Sequence, residues 1–534
     1  MKKLMSILIA LLITASLAFA TGAGQVSSRT ENGIADGRTA KYIFVFIGDG
    51  TSIPQRNAAE LYLASKDQPK DLGNALLRAE NKFPQGNGVA DFKPSIKRML
   101  MSSFPGQGFS STYSSNSLIT DSSSSGTAIA TGNKTRDGVV GMDPEGREKY
   151  VSMAKMARDK GMKVGIISTV SLDHATPASF YACSPNRDFY YEIALQIPES
   201  NFNFFGGGGF KQPRGAKNDR QDIVEIAQEA GYQVYTTRED FDAIKAGDDK
   251  IITINPVLDG DAALPYAIDQ REGEIRFAEF VAKGIEVLDN PNGFFMMAEC
   301  GKVDWSCHAN DALATVEDVL TLDEAVKVAY EFYQKHPEDT LIVVTGDHET
   351  GGMTMGFAGT KYDAFLTKLQ SQKGSYLAFN KEVEEFKRSN PNAALEDALP
   401  MIENFFGLKY YSKDTIAQLE ERTRSGDTEA YEVLGMALRD YEIESLEKAF
   451  AMSMMNSSDR PMQDDVYYLS YGYYEPLTVT LTHILNQKAG IAWTTYSHTG
   501  LPTPVSVIGV GYTQFNGYYD NTDIFKKVVA IGQL

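Results

Sequence analysis

The chain has 534 residues, 43% of them hydrophobic and 23% charged, with a formal net charge of −19. This composition supplies enough apolar residues for a large core and excludes a chain that is disordered throughout. The acidic excess argues against a phosphate-backbone binder, whose affinity rests on clustered Lys and Arg, so no nucleic-acid partner is expected.

At the N-terminus Lys2 and Lys3 precede an apolar run from Leu4 to Leu17, followed by the small-x-small site Ala18-Phe19-Ala20. This is the pattern of a signal peptide over residues 1–20, cut after Ala20, and the run is too short to serve as a stable membrane anchor. A periplasmic or secreted location follows. Residues 21–38, rich in Ser, Gly and Thr, read as a flexible lead-in to a folded domain over 39–534. Within it, short β-rich runs end in polar, glycine-containing turns: Tyr42–Ile47, Lys163–Thr169, Gly293–Ala298, Leu341–Thr345 and Pro504–Val510. Helical patterns lie between them. The expected fold is three-layer α/β, with a predominantly parallel central sheet flanked by helices and ligands gathered beyond the carboxyl ends of its strands. The run Gly206–Gly209 lacks the Lys-Ser/Thr ending of a phosphate loop and reads as a turn of close backbone approach. A long stretch separates His348 from His498, with helical patterns such as Leu434, Leu438 and Tyr441, so about 360–488 reads as an inserted helical cap.

Reactive residues fall at the strand ends. Asp49 closes the first run, Glu299 follows Phe294–Ala298, and Asp347-His348 follow Ile342–Gly346. Asp304 and His308, four apart, share a face if helical, and His498 precedes what reads as the last strand. A carboxylate at a strand end is often only a helix cap, and an Asp/His pair is often a surface contact; the conjunction is what points to metal. Of six histidines, His308, His348 and His498 keep company with carboxylates, whereas His336 and His483 do not and read as structural or solvent-exposed. Cys183, Cys300 and Cys307 are too few for a disulfide framework, and at least one must be free. The run Thr120-Asp121-Ser122-Ser123-Ser124-Ser125-Gly126 leads into small residues that can continue as a closely packed helix, leaving a serine near its positive end. The residues alone leave open which serine.

These segments resemble the alkaline phosphatases from about Tyr42 to Gly511, apart from the insertion. The resemblance places the nucleophile at Ser122, in an Asp-Ser pair followed by small residues and Thr-Ala. His174-Ala175-Thr176-Pro177, with Arg187 eleven residues after Thr176, is similar to the family's magnesium and phosphate-arginine segment. It implies one Zn2+ held by Asp304, His308 and His498, a second by Asp49, Asp347 and His348, and one Mg2+ by Asp49, Thr176 and Glu299. The donor types suit those metals: mixed imidazole and carboxylate for zinc, hard oxygens for magnesium. His174 and Trp305 occupy two positions that vary within the family and bear on magnesium affinity and pH optimum.

The implied activity is hydrolysis of phosphate monoesters through a phosphoserine, by two in-line displacements that leave the configuration at phosphorus unchanged. Three divalent ions among the four carboxylates leave the site at about +2, attractive to a phosphate dianion within an acidic protein. Arg187 adds a guanidinium for the phosphate. The resemblance also favours a homodimer, with the insertion covering the active-site mouth or building subunit contacts. A sulfatase would need Pro and Arg after its nucleophile, which Ser122–Gly126 lacks. The alternatives are a phosphodiesterase of the same superfamily, and an inactive phosphate- or metal-binding relative.

Overall fold

The computed structural model describes residues 37–66, 96–361 and 363–534. The expected signal peptide lies outside them, as does most of 21–38. Among the described residues, ten strands form the central sheet: β1 (Tyr42–Gly48), β2 (Gly106–Ser111), β3 (Lys163–Ser168), β4 (Phe204–Gly207), β5 (Gln233–Tyr235), β6 (Ile251–Ile254), β7 (Phe294–Cys300), β8 (Thr340–Gly346), β9 (Thr503–Gly509) and β10 (Gly517–Asp520). Their order is β10-β2-β9-β8-β1-β7-β3-β4-β6-β5. Every strand is parallel to β1 except β9, which runs antiparallel to both β8 and β2.

The middle strands β1, β7 and β8 are buried along their whole length, as a parallel strand covered on both faces must be. Alternation along β1 divides the core. Tyr42, Phe44 and Phe46 enter one hydrophobic cluster, while Ile43, Val45 and Ile47 enter the cluster on the opposite face. The reversal of β9 has a local consequence: its N-terminal approach, residues 498–502, lies at the edge where the parallel strands end. A short β10 follows it, so β9 is not the last strand, as the sequence had suggested.

The glycine run is more than a turn. Gly206 and Gly207 end β4, and a Cβ on Gly207 (φ 126°) would stand 1.8 Å from the Ser168 carbonyl oxygen, so glycine lets β4 close on the exit of β3. The region 360–488 holds a succession of helices, including Tyr376–Ser389, Leu395–Phe406 and Asp440–Met454. Phe379, Ile402, Phe406 and Leu446 join the same core cluster as Phe44. Leu434, Leu438 and Tyr441 do not share one helix. The helix Thr428–Met436 stops before Leu438, where the chain turns extended and the Leu438 N–H donates to the Lys409 carbonyl at 2.8 Å; Tyr441 belongs to the next helix and is exposed. Cys183, Cys300 and Cys307 are all free and buried. Among the described residues, no helix is long and apolar enough to cross a membrane.

Candidate active site

Strand register creates the site. Gly48 of β1 is level with Gly346 of β8 and Cys300 of β7, so Asp49, Asp347 and Glu299 emerge side by side. The serine run opens α1 (Ser122–Thr131). Ser168 of β3 is level with Glu299, and the loop beyond it leads to α2 (Ala175–Tyr181), with His174 at its N-cap position and Thr176 in its first turn. After β7 comes α3 (Lys302–His308), which places Asp304 and His308 on one face with Oδ2 and Nε2 3.3 Å apart. His498 reaches the same edge through a short pairing with Thr350.

Three groups of donor atoms result. His498 Nε2 lies 3.2 Å from His308 Nε2 and 3.6 Å from Asp304 Oδ1. His348 Nε2 lies 3.2 Å from Asp49 Oδ1 and 3.4 Å from Asp347 Oδ2. Asp49, His174 and Glu299 converge as a third group, with donor atoms within 4.8 Å of one another. His348 also approaches Asp304 and His498 that closely, so the first two groups adjoin.

The imidazoles are aimed inward by their outer nitrogens. His498 Nδ1 donates to the Thr120 carbonyl at 2.7 Å and His308 Nδ1 to the Tyr496 carbonyl at 2.6 Å. A carbonyl only accepts, so Nδ1 of each ring carries the hydrogen and Nε2 is the nitrogen turned to the cluster, the arrangement that outer partners impose on metal-binding histidines. Burial, with His498 beside it, holds the pKa of His348 well below its ordinary value.

The carboxylates are crowded. Burial, reinforced by Asp347, raises Asp49 well above the usual range; burial, reinforced by Asp304, does the same to Asp347. Burial lifts Glu299 to about 7 even though Ser168 donates to it. Burial opposes ionisation of Asp304 too, but His308, His498 and His348 together outweigh it and hold its pKa well below the usual range. Both oxygens of Asp49, Asp347 Oδ2, Glu299 Oε1, Thr176 Oγ1 and His174 Nδ1 are buried without a hydrogen bond among the described residues. Buried acceptors of this kind are costly unless compensated. Divalent cations would satisfy them, so the donor set fits the metals.

Asp121 caps α1, accepting from the Ser124 N–H at 2.9 Å. The four serines that follow have different employments. Ser123 Oγ donates to Asp121 at 2.6 Å, Ser124 Oγ to Asp121 at 2.8 Å and to Asp137 at 3.0 Å, and Ser125 Oγ to the Asp347 carbonyl at 2.5 Å. Ser122 Oγ alone faces the metal-donor groups, 3.1 Å from His348 Nε2. Gly126 permits the tight packing of α1 on α2: a Cβ there would stand 2.9 Å from Ser179 Oγ. Arg187 Nη1 donates to Asp121 Oδ2 at 3.0 Å, and its side chain is 22% exposed at the mouth of the site.

The family described as "Alkaline phosphatase" matches residues 40–534. This chain belongs to the alkaline phosphatase family. Alkaline phosphatase 4 of Bacillus subtilis is 26% identical over 525 residues, spanning 96% of this chain and 94% of its own length. The solved alkaline phosphatase of Thermus thermophilus has a TM-score of 0.69 at 23% identity, over 95% of this chain and 94% of that one. A mutant of the TAB5 alkaline phosphatase with Mg bound in its M3 site has a TM-score of 0.57 at 22% identity, over 93% of this chain and 99% of that one. Family and fold together make the chain a metal-using phosphate-ester hydrolase.

In this alkaline phosphatase family member His174 stands in the third donor group itself, where burial and the Arg187 charge lower its pKa to about 3, leaving a neutral ring. Trp305 packs edge-on to it, ring centroids 6.0 Å apart. His336 is remote from the cluster and packs against Tyr42 and Phe332. Sequence reasoning overlooked Asp121. It is held well below the usual carboxylate range because Arg187, Ser123 and Ser124 together outweigh its burial. An aspartate just before a small-residue helix is a capping signal, and that signal was available.

Proposed function

We propose that this chain hydrolyses phosphate monoesters to an alcohol and inorganic phosphate through a phosphoserine on Ser122, using two zinc ions and one magnesium ion. The observation that carries the reading is the Ser122 hydroxyl: three neighbouring serines are committed to structural hydrogen bonds, and Ser122 faces the buried donor groups. Asp304, His308 and His498 would hold one zinc, Asp49, Asp347 and His348 the other. Asp49, Thr176 and Glu299 would hold magnesium, and His174 adds a nitrogen to that group. When bound, the cations supply positive charge for the phosphate and lower the pKa of oxygens that coordinate them.

The residues of the chain then divide the work. Ser122 Oγ, at the positive end of α1, gives up its proton to solvent and forms a bond to phosphorus as the bond to the leaving alcohol's oxygen breaks, and the departing alkoxide takes up a proton from solvent. Arg187, steadied through one arm by Asp121, keeps the rest of its guanidinium fork for the non-bridging oxygens. Water then displaces Ser122 from phosphorus in line, restoring the serine and releasing phosphate. Export by the N-terminal leader, a role for 360–488 in covering the active-site mouth or building subunit contacts, and a homodimer belong to the same reading.

Hydrolysis of a chromogenic phosphate monoester by the purified chain, before and after chelation, with metal content measured alongside, tests the proposal. Activity lost with the metals and restored by zinc and magnesium is expected. A preparation holding all its metals that cleaves only diesters would establish the phosphodiesterase alternative.

A further inference from the structure

Asn310 lies two residues beyond α3, fully buried, with left-handed backbone (φ 51°). Asparagine tolerates that conformation, and glycine would serve the turn equally well. The turn does not explain the side chain. Its Nδ2 donates to the Cys307 carbonyl at 2.8 Å and to the Thr495 carbonyl at 3.0 Å, which identifies Oδ1 as the acceptor, and Oδ1 receives His483 Nε2 at 3.0 Å. The Asn310 carbonyl accepts from Asn486 Nδ2 at 2.7 Å. His483 and Asn486 both belong to the helix Pro476–Ala489, which closes the 360–488 region. One side chain therefore ties together α3, which bears Asp304 and His308, the segment leading to His498, and a helix from outside the site.

The same segment is gripped from its other side. Thr494 and Thr495 N–H groups donate to the Gly351 carbonyl at 3.0 and 3.2 Å, and the Gly351 N–H donates to the Ser497 carbonyl at 2.9 Å. Gly351 follows closely on Asp347-His348. His498 is thus delivered by a strand threaded between two turns, each continuous with other donors of the cluster. The Tyr496 ring stacks on His483, with centroids 5.9 Å apart.

We infer that Asn310 is a positioning residue that holds the His498 segment in register with Asp304 and His308, and that His483 sets the orientation of its amide. The inference rests on the proposed role of His498 as a zinc ligand. Outer partners of metal ligands typically matter by about 10- to 100-fold in affinity, and Asn310 acts on a ligand from a distant part of the chain whose segment is otherwise tied to α3 by the His308 Nδ1 hydrogen bond to the Tyr496 carbonyl.

Four variants of the full chain separate the contributions. Asn310→Gly keeps the turn and removes the amide; Asn310→Asp keeps the shape and sets an oxygen against two carbonyls. His483→Gln retains a donor and His483→Leu removes it, and neither alters the turn should the Asn310 variants fail to fold. Zinc affinity is read by competition with a chromophoric chelator, and amide hydrogen exchange is read in a peptide spanning 494–500. Asn310→Gly, Asn310→Asp and His483→Leu should weaken one zinc about 10- to 100-fold, spare the second, and speed exchange at Thr494 and Thr495, with His483→Gln close to the parent. Parental zinc affinity and parental exchange in Asn310→Gly would overturn the inference, and Gln behaving like Leu would overturn the part given to His483. If the parent binds no zinc, the proposed metal role of His498 fails, and faster exchange in Asn310→Gly would still establish Asn310 as the residue holding the segment.

Discussion

Arg187→Ser should reduce monoester hydrolysis far more than diester hydrolysis. The guanidinium is anchored at one corner, Nη1 to Asp121 Oδ2 at 3.0 Å, and sits partly open at the mouth. The rest of the fork can donate two parallel, charge-assisted hydrogen bonds to the non-bridging oxygens of a monoester dianion. A diester has one of those oxygens esterified and carries less charge, so it cannot use the fork as well. Losing such an interaction in the transition state costs ~2–4 kcal/mol, about 30- to 1000-fold in rate. The scaffold should survive, because Asp121 still accepts from Ser123 Oγ, the Ser124 N–H and the Gly138 N–H at 2.6, 2.9 and 3.0 Å. The assay is kcat/KM for an aryl monoester and the matching diester, with metal content and circular dichroism as controls. Arg187→Lys should rescue only in part, a point charge lacking the fork. Equal losses for both substrates, with metals and fold intact, would refute the argument and leave Arg187 a general electrostatic residue.

His498→Ala should cost one zinc and most of the turnover, whereas His336→Ala, which removes a ring packed on Tyr42 and Phe332, should leave metal content and turnover unchanged; elemental analysis with steady-state kinetics checks both. Desolvation lowers the His483 pKa from 6.5 to about 4. Between those values the unfolded chain takes up a proton that the folded chain refuses, so this stability is complete above about pH 6.5 and is lost as pH falls towards 4, by about 2 kcal/mol after allowance for residual exposure. Urea melts of the parent and His483→Gln across that range should converge towards low pH if the variant lacks this term, and parallel curves would contradict it.

The middle of the sheet was legible because β1, β3, β7 and β8 are buried on both faces and read as apolar runs that end in polar turns. Their parallel register places Asp49, Glu299 and Asp347 together, so strand ends alone pointed to the donor cluster. The outer strands were not legible. β2 reads Gly-Gln-Gly-Phe-Ser-Ser, and β4 ends in the glycines that read as a turn. Nothing in the composition of β9 announces its reversal, which depends on its neighbours β2 and β8. Spacing correctly paired Asp304 with His308, four apart on α3. It could not show that His174 enters the third donor group, or that Asn310 and His483 meet across 173 positions, because tertiary packing alone sets those contacts. The choice among four serines was likewise closed to the residues alone, since each differs from its neighbours only in what its hydroxyl touches.

The most direct test of the account is to trap the phosphoenzyme. The purified chain is quenched at acid pH after exposure to a labelled phosphate monoester, and the labelled peptide is mapped. The account predicts stoichiometric label on Ser122, absent in Ser122→Ala and retained in Ser123→Ala. Label on Ser123, Ser124 or Ser125, or turnover by Ser122→Ala at the parental rate, would contradict it.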